Sequence, residues 1–203
     1  MEILRLIKQI DIKFLNNFIK KNLLKLKIIN SRSLLQKSSL KNTIYVNNIN
    51  NEISKLCEKY GSDKGYVEFD KKTPYAWKPH TYSNFYYQLF DHCKDNIRLV
   101  FECGIGTNNA AIPSNMTTSG KPGASLRVWR DYFKNAEIYG ADIDDKILFL
   151  ENRIKTFYVN QLETQSIEKM WLGIDKNNFD LIIDDGLHNF EAGMQLFKNS
   201  YSK

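Results

Sequence analysis

The stretch Arg98-Leu-Val-Phe-Glu-Cys-Gly-Ile-Gly106 is a short apolar run that breaks on a glycine pair. A run of that length, closed by glycines, reads as a buried strand. A long loop, Thr107–Gly123, follows, and Ser125–Phe133 has helical spacing. The same phrase then recurs down the chain. Glu137–Ala141 is a strand ending at Asp142, Lys146–Asn152 a helical turn, and Ile154–Val159 a strand. Ser166–Leu172 is helical, and Phe179–Ile183 is a strand ending in Asp184-Asp185-Gly186, with helix character over Phe190–Ser200. Such alternation predicts an α/β fold with a parallel sheet covered on both faces. Ligands of these sheets sit at the carboxyl ends of the strands, where each predicted strand carries polar residues.

Upstream of this block, Glu52–Tyr60 is predicted helical and stops at Gly61. Gly61-Ser-Asp-Lys-Gly65 is a polar turn, and a proline- and aromatic-rich stretch runs to His80. Thr81–Lys94 reads as a second helix carrying Tyr82, Phe85, Tyr86, Tyr87 and Phe90. Further upstream, Ile3, Ile7, Ile10, Phe14 and Phe18 keep helical spacing with Arg5, Lys8, Lys13 and Lys20 between them. This predicts a basic amphipathic helix reaching about Ile29, followed by a Ser/Asn/Lys-rich linker. The chain therefore divides into an appendage (1–50), a helical cap with an aromatic segment (51–95) and a cofactor-binding domain (96–203).

Charge follows that division. The 203 residues carry a formal net charge of +6. Residues 1–50 hold ten of the 29 basic residues but only two of the 23 acids, so the appendage carries the whole positive excess. The remainder is mildly acidic, which argues against nucleic acid as a partner of the main domain. The basic helix fits either packing on its own domain or a second copy, or peripheral contact with an anionic membrane. No apolar run is long enough for a transmembrane helix, and charges interrupt the first 15 residues, excluding a signal-peptide core. Cys57, Cys93 and Cys103 are odd in number and unevenly spaced. They read as reduced, buried thiols in a cytoplasmic protein.

The strand tips carry the chemistry. Gly104 and Gly106 allow a sharp turn and close approach of a ligand. A dinucleotide fingerprint would need a third glycine where Asn109 stands and an immediate helix; both are lacking, which argues against a nicotinamide-linked enzyme. Asp142, at the tip of the second strand, is suited to accept both hydroxyls of a ribose, or alternatively to cap the next helix. Asp184, Asp185 and His188 bring two carboxylates and an imidazole to one sheet edge. Carboxylates are hard ligands suited to Mg²⁺, and a neutral imidazole beside them can accept a proton. The competing reading makes Asp184 and Asp185 helix caps and His188 an exposed turn residue.

Taken in order, Lys59-Tyr-Gly-Ser-Asp-Lys-Gly65, His80-Thr-Tyr82, Glu102-Cys-Gly-Ile-Gly106, Pro122-Gly-Ala-Ser-Leu-Arg-Val-Trp-Arg-Asp-Tyr-Phe133, Ala136-Glu-Ile-Tyr-Gly-Ala-Asp-Ile-Asp144 and Ile183-Asp-Asp-Gly-Leu-His188 resemble one family. It is the class I S-adenosylmethionine-dependent methyltransferases, in the branch of the macrolide-sugar O-methyltransferases and cephalosporin hydroxylase-like proteins. The resemblance spans roughly Lys59 to Ser200 and implies a Rossmann-like sheet. It implies that Glu102, Gly104 and Gly106 line the methionine and ribose side of S-adenosylmethionine, with Asp142 on the ribose and Ile143 on the adenine. Asn160 and Gln161 fall where the family contacts adenine, Asp184 at the methionine end, and Lys64, His80 and Tyr82 where the pocket closes. Asp185 would be a magnesium ligand and His188 the base for a sugar hydroxyl of a glycan or glycosylated metabolite.

In that family further acidic metal ligands and later strands follow the helix after the histidine, whereas this sequence ends at Lys203. The expectation is a C-terminally truncated chain lacking the last strands, an alternative being completion by a partner chain. Such a chain would keep part of its cofactor binding and lack efficient metal-assisted catalysis by itself. A noncatalytic binding or assembly module that reaches a membrane or complex through its basic N-terminus is the other functional reading.

Overall fold

The computed structural model describes residues 50–65, 77, 80–118 and 120–203. The predicted basic helix and its linker lie outside the described residues, and every described residue belongs to the compact unit Asn47–Lys203.

Helix α1 spans Glu52–Tyr60, as its pattern predicts. Asn51 caps it by accepting from Ser54 N at 2.8 Å, and Gly61 ends it in the left-handed region at φ 76°, which a glycine adopts without steric cost. Helix α2, Tyr82–Phe90, is shorter than expected. The chain leaves it through a turn and a single 3₁₀ turn at Lys94–Asn96. Then follow β1 (Leu99–Cys103), α3 (Ala124–Tyr132), β2 (Glu137–Asp142), β3 (Leu150–Glu151), β4 (Ile154–Tyr158), α4 (Thr164–Ile174), β5 (Leu181–Asp184) and α5 (Phe190–Ser200).

The sheet order is β3-β4-β2-β1-β5. Every pairing is parallel except β3 with β4, which is antiparallel. That edge hairpin corrects the helical turn expected over Lys146–Asn152. Only Asp145–Ile147 winds, as a 3₁₀ turn capped by Asp144, and Arg153 takes φ 59° to bring the chain back.

Alternate strand residues feed two cores, as a sheet covered on both faces requires. Val100, Ile138, Ile154 and Ile183 pack with Ile53, Leu126 and Trp129 of α1 and α3. Phe101, Cys103, Tyr139 and Ala141 pack with Ile167, Trp171 and Leu196 of α4 and α5. Cys57 and Cys103 are buried free thiols as expected, whereas Cys93 is only half-buried, at the polar end of the α2 turn. Burial pushes the Cys57 thiol up to about 12 and Cys103 well up also, because a thiolate loses its hydration there. Among the described residues, no helix is long and apolar enough to cross a membrane.

Candidate functional site

Parallel pairing brings the ends of β1, β2, β4 and β5 to one edge. The ladder continues past the strands: Gly104 N donates to Ala141 O (2.8 Å), Asp185 N to Cys103 O (2.8 Å) and Val159 N to Asp142 O (2.9 Å). Above this edge lies a cavity of about 580 Å³, a size that suits a small organic ligand. Gly104, Gly106, Asp142, Ile143, Asp185 and His188 all line it.

The glycine pair is demanded by geometry. Gly104 sits at φ 85° and Gly106 at φ 88°. A Cβ on Gly104 would strike the Asp185 carbonyl and approach Gly186 Cα to 2.6 Å. The β1 and β5 loops can therefore cross only with a glycine at 104.

Asp142 is 6% exposed, and its carboxylate is fixed by two backbone donors, Ile105 N on Oδ2 (2.8 Å) and Asp144 N on Oδ1 (3.0 Å). Burial pushes its carboxyl up, with those N–H groups working against the shift. It does not cap the following turn; Asp144 does, accepting from Lys146 N. A carboxylate has about four acceptor directions, so Asp142 keeps acceptor capacity toward the cavity. Ile143 beside it is 43% exposed and offers an apolar face.

On the opposite wall, Asp184 and Asp185 are not caps either. Asn189 caps α5, accepting from Ala192 N at 2.8 Å. Asp184 is not a lining residue: its Oδ1 accepts from Gln161 Nε2 at 2.8 Å and from Gly186 N at 3.3 Å. Asp185 opens to the cavity, with Oδ1 3.3 Å from His188 Nε2. His188 is held at φ 44°, a backbone conformation unusual for this residue, and its ring is exposed. The fixed turn presents the imidazole to the cavity mouth.

Asn160 and Gln161, expected to touch adenine, line the cavity beside Ile143, and their side chains also hold the local loops. Asn160 closes its own turn, accepting from Leu162 N (3.1 Å) and donating to Glu163 Oε1 (2.8 Å). Gln161 is 6% exposed; its Oε1 accepts from Leu187 N at 2.8 Å while its Nε2 grips Asp184. Its amide thus ties the β4–α4 loop to the turn bearing Asp185.

Lys64, His80 and Tyr82 do line the cavity. The His80 and Tyr82 rings stack with centroids 4.9 Å apart and 7° between planes. Glu102 is fully buried and stands behind Lys64, outside the lining. Trp129 Nε1 donates to its Oε2 at 2.7 Å, and Lys64 Nζ lies 3.2 Å from Oε1.

Sequence reasoning missed Asp63 and Trp77, whose Nε1 donates to Asp63 Oδ2 at 3.0 Å on the cavity wall. It also missed Thr107, which donates to Asp144, and Met116, packed against Gly106. Thr107 and Met116 belong to a loop without periodicity. The glycines flanking Asp63 were a signal for a tight turn but not for what the turn faces.

No family model matches the chain. The 8-demethyl-8-alpha-L-rhamnosyl tetracenomycin-C 2'-O-methyltransferase of Streptomyces olivaceus is 32% identical over 133 residues, 66% of this chain and 29% of the relative. The mycinamicin VI 2''-O-methyltransferase of Micromonospora griseorubida is 38% identical over 66 residues, 32% of this chain and 16% of the relative. Among solved structures, the MycE methyltransferase of the mycinamycin pathway, in complex with Mg and SAH, superposes with a TM-score of 0.57 at 25% identity. The match covers 74% of this chain and 34% of MycE. The chain thus spans about a third or less of the length of these relatives. Over the matched segments the chain is similar in sequence to the macrolide- and tetracenomycin-sugar O-methyltransferases, and its mostly parallel five-stranded sheet matches the Rossmann-like methyltransferase fold of MycE.

Proposed function

We propose that the chain binds S-adenosylmethionine and takes part in methyl transfer to a sugar hydroxyl of a glycosylated small molecule. One observation carries this reading. A single cavity at the carboxyl ends of parallel strands has an anchored acid and an apolar side chain, Asp142 and Ile143, on one wall. An acid–imidazole pair, Asp185 and His188, stands on the other.

The residues fit the ligand. The left-handed glycines would let backbone approach it, Asp142 would accept the ribose hydroxyls and Ile143 would pack on the adenine ring. Mg²⁺ commonly takes one or two carboxylates and keeps its waters. Asp185 would be one such ligand, but among the described residues no group of three or more His, Cys, Asp or Glu is able to hold a metal, so the residues present do not by themselves complete a Mg²⁺ site. Bound S-adenosylmethionine would supply an electrophilic sulfonium methyl.

The chain's own work is alignment and proton transfer. His188 Nε2 faces Asp185 Oδ1 at 3.3 Å, which leaves Nδ1 to accept the proton of the acceptor hydroxyl. The Asp185 carboxylate then stabilises the imidazolium. Relatives named for rhamnosyl and mycinamicin substrates support a sugar as acceptor.

Calorimetric titration with S-adenosylhomocysteine, with and without Mg²⁺, tests this reading. Saturable one-to-one binding is expected, weakened at least about tenfold in Asp142→Ala, the scale of one lost charge-assisted pair of hydrogen bonds. A folded chain that binds no S-adenosylhomocysteine overturns the reading. Peripheral membrane contact through the basic N-terminus is a separate proposal. Flotation with anionic liposomes, lost on deleting residues 1–30, is the result it requires.

A further inference from the structure

The cavity of about 580 Å³ has to take both S-adenosylmethionine and the acceptor hydroxyl. That volume suits one small organic ligand. With S-adenosylmethionine seated, the remaining space takes a sugar ring but not the aglycone that carries it. The rest of a glycosylated acceptor has to leave through the mouth and lie on outer surface.

Helix α2 supplies such a surface. Tyr82 lines the cavity, and Tyr82, Phe85 and Leu89 are 45%, 61% and 44% exposed. Positions i, i+3 and i+7 fall on one face of a helix, so these side chains form an apolar stripe that begins in the cavity wall and runs outward. The other face of α2 is spent on the core. Ser83 is buried with its hydroxyl 2.8 Å from Ser54 Oγ, and the Tyr86 and Phe90 rings meet Trp129 and Phe133 edge-on at 5.0 and 5.6 Å. A contiguous row of large apolar side chains left in water marks a binding surface, whereas a single one does not.

The start of the stripe is fixed to the acid–imidazole wall. Ser83 N donates to Lys64 O at 2.8 Å, and the Lys64 ammonium contacts Asp185. His80 N donates to Asp63 O at 2.8 Å, and the His80 ring stacks on Tyr82. The stripe therefore opens at the wall where His188 would meet the acceptor hydroxyl.

We infer that the Tyr82–Phe85–Leu89 face of α2 is the docking surface for an apolar aglycone, and that Phe85 and Leu89 set which glycosides the site selects. The inference rests on the cavity taking S-adenosylmethionine and a sugar hydroxyl, as proposed above. Phe85 and Leu89 lie outside the cavity lining, so their effect is on the aglycone alone and not on cofactor or sugar.

The test uses two probes on the full chain saturated with S-adenosylhomocysteine. Methyl α-L-rhamnopyranoside is the sugar alone, and 4-methylumbelliferyl α-L-rhamnopyranoside is the same sugar on a flat apolar group. Affinities are read by saturation-transfer difference NMR titration in the parent, in Phe85→Leu and in Phe85→Gln combined with Leu89→Gln, with circular dichroism to verify folding. The parent is expected to bind the aryl glycoside about tenfold more tightly, the gain from burying roughly 60 Å² of apolar surface. The preference persists in Phe85→Leu and falls to within about twofold in the double variant, while affinities for the methyl glycoside and S-adenosylhomocysteine stay unchanged. No preference in the parent, a preference that survives the double substitution, or binding of neither glycoside overturns this inference and leaves the cofactor reading standing. Sedimentation velocity is run beside it: self-association of the parent that the double substitution abolishes assigns the stripe to a second copy and overturns the inference also. A folded parent that binds no S-adenosylhomocysteine overturns the proposed function, and this inference with it.

Discussion

Gln161 is the tie whose removal best tests how the site is held. Its side chain makes two hydrogen bonds of 2.8 Å, donating to Asp184 and accepting from Leu187 N, and both ends belong to the turn that carries Asp185 and His188. Each such bond contributes about 1 kcal/mol net, so Gln161→Leu is expected to destabilise by about 2 kcal/mol. For a domain of this size that lowers Tm by about 4–8 °C. Urea unfolding followed by tryptophan fluorescence reads it, since Trp129 and Trp171 lie in the two cores. Gln161→Glu sharpens the test. It keeps the acceptor for Leu187 N but sets a carboxylate against Asp184, so the new group's folded pKa rises above its unfolded value near 4.3. A raised folded pKa means the contribution is fully present below the unfolded pKa and lost as pH rises through the folded value. Gln161→Glu is therefore weaker than the parent at pH 7 and approaches it near pH 4. A Gln161→Leu variant within about 0.5 kcal/mol of the parent, or a Gln161→Glu deficit that does not shrink on acidification, refutes the tie.

Three further outcomes follow from the same structure. Partial burial works against the Asp131 charge, but hydrogen bonds from Tyr60, Arg130 and Lys59 outweigh it and hold the carboxyl down at about 2. That stability is present above the unfolded carboxyl pKa and lost as pH falls toward 2. Asp131→Asn should cost about 1 kcal/mol at pH 7 after solvent screening and nothing near pH 2, in urea titrations at both pH values. Gly104→Ala combines a left-handed backbone with a collision at Asp185, and thermal melting should show a loss of at least about 2 kcal/mol; a variant as stable as the parent contradicts the close crossing. With Ellman's reagent at pH 8, Cys57 and Cys103 should stay unreactive in the native protein and react in urea, because burial holds both thiols protonated; prompt native labelling of either would contradict their burial.

Much of this molecule is legible in its residue order. α1 and α5 follow their patterns residue for residue, because Asn51 and Gly61, and Asn189 for α5, are local signals that act over one turn. The parallel strands are legible because a strand buried on both faces must be apolar throughout. The missed edge hairpin, Leu150–Glu151 with Ile154–Tyr158, has too few residues to show a period. Its pairing is decided by Arg153, whose guanidinium donates to the carbonyls of Phe133, Ala136 and Arg130.

The site divides along the same line. Sequence by itself determined which strand tips carry glycine, acid and imidazole, since those residues sit a fixed, short distance along the chain from apolar runs that must be buried. Only tertiary structure decided what each group faces. Asp142 points its free acceptor capacity at a cavity because Ile105 and Asp144 hold its other directions. Glu102 lies behind Lys64, whose ammonium crosses from a loop 38 residues upstream, and Gln161, on the cavity wall, donates to Asp184. These are contacts between segments far apart in the chain, chosen by where the parallel sheet sets its strand ends and by the need to balance each charge that the sheet buries.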